Sequence, residues 1–125
     1  MTKHLTHVAL AALLCFASSC KKDETGANNK TQACNATAKT VKTITSAAGI
    51  VYFNATLQQY VVSVHQPGTI DAVDVGVPCG DLPTALQQDG KRVTVSGTFK
   101  EYGQAAPQPL PAGYTYYYLE VSAIQ

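Results

Sequence analysis

The chain of 125 residues has room for one domain. Its 9 Lys+Arg stand against 8 Asp+Glu and 46% of its residues are apolar. That balance fits a folded domain and excludes a disordered tail, a collagen-like repeat, and a nucleic-acid binder that works by neutralising phosphates. There is no Trp, and two of the three His fall in the first seven residues, so catalytic equipment is thin before any motif is sought.

Met1 to His7 is a short polar head with one cation, Lys3, and Val8 to Ala17 is an unbroken apolar run, VALAALLCFA. Ten residues at 1.5 Å each give about 15 Å of helix, half a bilayer core, which makes the run a signal-peptide core and not a stable span. It ends at Ala17-Ser18-Ser19-Cys20. Small residues directly before a cysteine resemble the bacterial lipobox, although Ala17 stands where Leu or Val is usual. The resemblance implies cleavage before Cys20 and acylation of that residue, an anchor made effectively permanent by several acyl chains at ~0.8 kcal/mol per buried CH₂. Cys20-Lys21-Lys22-Asp23-Glu24 is similar to the start of exported lipoproteins of the Bacteroidota. In that group a Lys-plus-acidic stretch such as Lys22, Asp23 and Glu24 is associated with display at the cell surface; as plain sequence it is equally the start of a solvated linker. The expected location is the outer membrane, facing the periplasm or, in preference, the outside. Residues 1–19 are then the signal peptide and residues 20–33 a lipidated tether. KKDETGANNKTQ, with no aliphatic residue larger than Ala, cannot bury apolar surface and reaches at most ~40 Å.

Residues 34–125 are the expected domain, and their periodicity is that of strands. Thr43 to Phe53 is the first, with Gly49 as a bulge or bend. Tyr60 to His65 and Ala72 to Val77 follow, separated by the turn Gln66-Pro67-Gly68. Asp81 to Gly90 reads as one short helix, with Asp81 as N-cap, Pro83 in the first turn, Gly90 as stop, and Leu82 and Leu86 on one face. Lys91 to Lys100 alternates strictly, with Val93, Val95, Gly97 and Phe99 on one side. Tyr116 to Ile124 is the last. The fold class is therefore all-β, and the order of three strands, a short helix and two strands resembles the OB-fold, a small five-stranded barrel. Another small barrel or a two-sheet sandwich fits the same pattern.

Of four cysteines, Cys15 leaves with the signal and Cys20 takes the lipid, so Cys34 and Cys79 remain. In an exported compartment they most economically pair with each other. That bridge would tie the start of the first strand to the end of the third and contribute up to about 4 kcal/mol by chain entropy.

Chemistry is hard to find. His65, with Asp71 and Asp74 across the turn, has the residue types of a metal site, but Asp71 and Asp74 fall on opposite faces of a strand. No nucleophile elbow, phosphate loop or zinc spacing occurs, and nothing sets any two of Asp71, Asp74, Asp81, Glu101 and Glu120 opposite each other. Neither catalysis, a metal, nor a cofactor is expected. One local feature remains, Tyr114-Thr115-Tyr116-Tyr117-Tyr118, preceded by the stiff Pro107-Gln108-Pro109-Leu110-Pro111. Alternation turns Tyr117, Leu119 and Val121 inward and Tyr116 and Tyr118 outward. Outward tyrosines either cover cross-strand neighbours or stack on a ligand, which makes Tyr114, Tyr116 and Tyr118 the candidate binding residues. The expected function is that of a monomeric, non-enzymatic envelope protein binding a glycan, a peptide or another protein. The alternative is an inhibitor of an exported or host lysozyme or protease.

Overall fold

The computed structural model describes Cys34 and residues 37–125. The segments expected to be signal peptide and tether, with the expected lipidation site Cys20 and the Lys22, Asp23, Glu24 stretch, lie outside the described residues. Five strands, β1 (Thr40–Asn54), β2 (Gln59–His65), β3 (Val73–Pro78), β4 (Lys91–Glu101) and β5 (Tyr114–Ile124), close into a barrel in the order β1-β2-β3-β5-β4. All neighbours are antiparallel except β3 and β5, which run parallel from Val73↔Tyr114 to Pro78↔Leu119. This is the OB barrel, with every strand paired on both sides over part of its length.

Closure depends on β1, which lies on β4 along most of its length and joins β2 only from Gly49↔Val64 onward. The bend falls between Ile44 and Ala47, where the register slips and Ser46 takes a left-handed φ of 48° while its N–H donates to Ser96 Oγ at 2.8 Å. Gly49, the position the sequence marks for the bend, serves another purpose. It pairs with both neighbours at once, and a Cβ there would lie 2.9 Å from Val62 Cγ1.

Val51, Val62, Val64, Val93, Val95, Phe99 and Leu119 fill the interior, with Tyr117, Val121 and Ile124 packed against them, as the alternation of β4 and β5 predicts. Gly76 leaves the space that Leu119 and Phe99 occupy, since a Cβ would come within 2.7 Å of Leu119 Cδ2. Leu82 and Leu86 close the end where β1 finishes. The helix expected over Asp81–Gly90 shrinks to one 3-10 turn, Thr84–Leu86. Pro83 occupies the cap position with no side-chain hydrogen bond, and Asp81 is not the cap. Polar side chains that would have lain along a helix are drawn to the barrel rim instead. Gln87 donates to the Leu82 carbonyl at 2.7 Å, and Asp89 accepts the Phe53 N–H at 2.6 Å.

The opposite end is closed by charge. The Lys42 ammonium pairs with Asp74, which also accepts from Gln66 Nε2 at 2.9 Å, and lies 5.6 and 5.4 Å from the centroids of Phe99 and Tyr117. Asp74 is 2% exposed, so this pair is a structural plug whose hydrogen bonds and cation–π contacts offset its desolvation.

A second apolar layer lies outside the barrel wall. Val61, Val73, Val75 and Val77 point away from the interior and are covered by Tyr102 and Tyr118, with Cys34, Leu57, Cys79, Tyr52, Tyr114 and Tyr116 around them. All six residues of β3 are buried as a result, which is unusual for a wall strand of so small a barrel. The cover comes from the chain between β4 and β5, which folds back over the sheet with Pro107 buried, and from the Cys34–Cys79 disulfide. The bridge joins the segment before β1 to the residue after β3, the pairing expected from the sequence.

Candidate functional site

Two loops rise from the outer layer and leave a cleft of about 420 Å³ between them. One is the β1–β2 connection, residues 55–58; the other is the β4–β5 connection, residues 102–113. The floor consists of outward side chains: Tyr52 from β1, Ser63 from β2, and Tyr114 and Tyr116 from β5. Pro107, Gln108, Pro109 and Pro111 form one wall and Ala55 and Thr56 the other. Both loops are held in place. Asn54 ends β1 and accepts the Leu57 N–H at 3.0 Å, an Asx turn that sets the first. The second is tied to the start of β3 by Val73 N–H donating to the Gly113 carbonyl at 3.0 Å. Gly113, at φ 82°, passes so close to the Asp71 carbonyl that a side chain would collide with it.

Asn54 Nδ2 also donates to Tyr116 Oη at 3.1 Å. Burial first, and then its neighbour Tyr116, push the Tyr52 phenol well above its ordinary pKa, so it stays protonated. Tyr102 is raised as well, through burial beneath the same loop and the neighbouring Tyr118. The cleft is thus an uncharged, tyrosine-floored surface with a small polar network at its base.

Of the three candidate tyrosines, Tyr114 and Tyr116 line the cleft and Tyr118 does not. Tyr118 is 9% exposed, its ring is 4.9 Å from that of Tyr102, and its hydroxyl accepts from Gln104 Nε2 at 2.8 Å. Alternation assigned Tyr116 and Tyr118 to the outer face correctly, but that face is not solvent there. Tyr102 and the β4–β5 loop cover it, so the expectation that both tyrosines stand free is corrected. No protein-family model and no curated protein matches the chain. The site therefore stands on its own geometry.

Tyr52, Asn54 and Ser63 are cleft residues that the sequence reading missed. Tyr52 had a usable signal, since it alternates with Val51 and Phe53 and so faces the same way as the outer tyrosines of β5. The other candidate cluster is dispersed. His65 pairs with Val73 on the outer face, whereas Asp74 pairs with Val64 and points inward to Lys42, and Asp71 lies exposed in the turn. Glu120 pairs with Lys100 at 2.6 Å. Among the described residues no three His, Cys, Asp or Glu side chains gather as metal ligands. A larger hollow of about 670 Å³ opens beside Lys42 and Asp74, but its two charges are already spent on each other.

Proposed function

We propose that the chain is a membrane-anchored lipoprotein of the bacterial envelope whose barrel is a binding module and not an enzyme. The anchor rests on the apolar run before Ser18-Ser19-Cys20, and surface display on Lys22, Asp23 and Glu24. The observation that carries the binding role is the cleft. It lies on the outer face of β1, β2 and β5 between the β1–β2 and β4–β5 loops, the loops beside which OB barrels in general take their ligands. Its lining supplies aromatic surface, amides and hydroxyls, with no acid–base pair, which supports holding a ligand over transforming one. The inhibitor alternative draws on the Pro-rich loop as a probe for an active site. Pro107 is buried, which leaves only residues 108–111 of that stretch exposed for insertion.

Two measurements test this reading. Labelled palmitate should enter the wild-type chain and not Cys20→Ser, and equal labelling of the two removes the anchor. The full chain in amine-oxide micelles (free of sugar headgroups) is titrated with short linear oligosaccharides of glucose or mannose, a proline-rich peptide, and oligodeoxythymidine. Shifts of the Thr56, Ser63, Gln108 and Tyr114 amides with any one of them support the cleft, and shifts confined elsewhere overturn it.

A further inference from the structure

The charged pair at the end of the barrel is held more tightly than an ion pair needs. Lys42 on β1 and Asp74 on β3 reach each other past the intervening β2, with Nζ 2.5 Å from Oδ2. The carboxylate is fixed, since Gln66 Nε2 donates to its other oxygen, Oδ1, at 2.9 Å and only 3% of its side chain is exposed. The amine is fixed as well, between the rings of Phe99 and Tyr117.

An amine and a carboxyl held in this way are the two halves of an amide. As separate molecules in water they stay apart as ions, but groups held in contact react as if at an effective concentration of ~10⁵ M or more. The product also removes two charges from a site where each carries a desolvation cost. Its atoms balance without a co-reactant. The Lys42 ammonium gives one proton to Oδ2, Nζ bonds to the Asp74 Cγ, a second proton passes from the nitrogen to Oδ2, and the Cγ–Oδ2 bond breaks to release water. One hydrogen stays on the nitrogen as the amide N–H. Gln66 donates to Oδ1, the oxygen on which negative charge gathers as the nitrogen adds. The hollow of about 670 Å³ beside the pair gives the released water a way out. Proximity alone does not single the pair out. Lys100 and Glu120 are 2.6 Å apart, but the Glu120 side chain is 47% exposed, and solvent stabilises its charge where it stands.

We propose that Lys42 and Asp74 condense into an isopeptide bond that staples β1 to β3 through the end of the barrel. Asp74 is the second residue of β3 and Cys79 follows its last, so with the disulfide this strand is tied covalently at both ends. The test is a tryptic map of the full chain, denatured and reduced. Trypsin does not cut after an acylated lysine, so residues 40–91 should appear as one peptide, lighter by one water than their sequence requires. Lys42→Arg should restore both the water and the cut after position 42, and cleavage after Lys100 should be normal in both proteins. Release of Thr40-Val41-Lys42, with residues 43–91 at full mass, overturns the bond and leaves an ion pair. Loss of water with normal cutting after Lys42 overturns it equally, because the dehydration is then elsewhere, as in a succinimide at Asp89-Gly90. Gln66→Met keeps the side-chain length and removes the donor. Its linked fraction at a fixed short time after a pulse of labelled amino acid should fall at least about tenfold. An unchanged fraction overturns the part given to Gln66.

Discussion

Leu119 and Tyr118 are adjacent on β5 and both are buried, yet they belong to different interiors. Leu119 points into the barrel, among aliphatic side chains and Phe99, where no polar atom needs a partner. Tyr118 points outward beneath the β4–β5 loop, into a layer whose cover is largely tyrosine and whose hydroxyls reach Gln104 and Asn54. The inner core is apolar except at one end, where Asp74 and Lys42 satisfy each other. The outer one ends at solvent, and the tyrosine carries it there, apolar in its ring and polar at its tip. The cleft forms where that outer layer stops being covered.

Breaking each side in turn sharpens the contrast. Phe99→Ala, inside the barrel, should cost about 4 kcal/mol in urea unfolding, the range for a buried aromatic. Tyr118→Ala should cost about 3 kcal/mol and lose cooperativity first around residues 102–113. A Tyr118→Ala protein as stable as wild type would mean the outer layer is decoration.

Removing the Cys34–Cys79 bridge by Cys→Ser at both positions should cost about 2–4 kcal/mol. Amide exchange should quicken most in the β4–β5 loop and at the end of β3, because the bridge packs with the outer layer. Uniform quickening through β1 and β4 would show that the two cores are one cooperative unit.

The smallest effect concerns protons. Tyr52 has its folded pKa raised above the unfolded value of 10.0, so its contribution is intact below pH 10 and is lost as pH climbs towards the folded value. In alkaline titration followed by tyrosinate absorbance, Tyr52→Phe should remove the latest part of the rise, and its stability should fall less than wild type's above pH 10. An unchanged late phase would place Tyr52 in water.

The sequence revealed the inner core through strict alternation, because one face of β4 and β5 meets mostly apolar neighbours: Val93, Val95 and Phe99 on one strand, Leu119 and Val121 on the other. It also revealed the disulfide, since two cysteines remained. The outer layer was not legible. Alternation reports which residues share a face, not whether a loop later folds over it, and nothing in Tyr102-Gly103-Gln104 announces a return to the sheet. The bend at Ser46 was hidden for a similar reason. A single serine in the left-handed region leaves no compositional mark, and Gly49 nearby drew the attention. The expected helix shrinks because Asp89 and Gly90, at its expected end, bond the last residues of β1 instead: Asp89 accepts the Phe53 N–H and Gly90 N–H donates to the Val51 carbonyl. Half of the cleft was visible in the tyrosine run, but Tyr52, Asn54 and Ser63 come from two other strands and meet it only through the barrel's closure.

The position of β5 has a consequence for how the protein is made. It is hydrogen-bonded to β3 on one side and β4 on the other. As the chain folds, the first four strands can form only an open sheet with β3 and β4 at its margins until residues 114–124 dock between them. β3, every residue of which is buried in the end, waits at one of those margins with the edge that faces β5 unpaired. The newborn domain therefore passes through an interval in which its most aggregation-prone strand is exposed and no local event can hide it. A premature stop within the last dozen codons would yield insoluble protein and not a slightly weaker barrel. A holding chaperone would matter most in the interval before β5 docks.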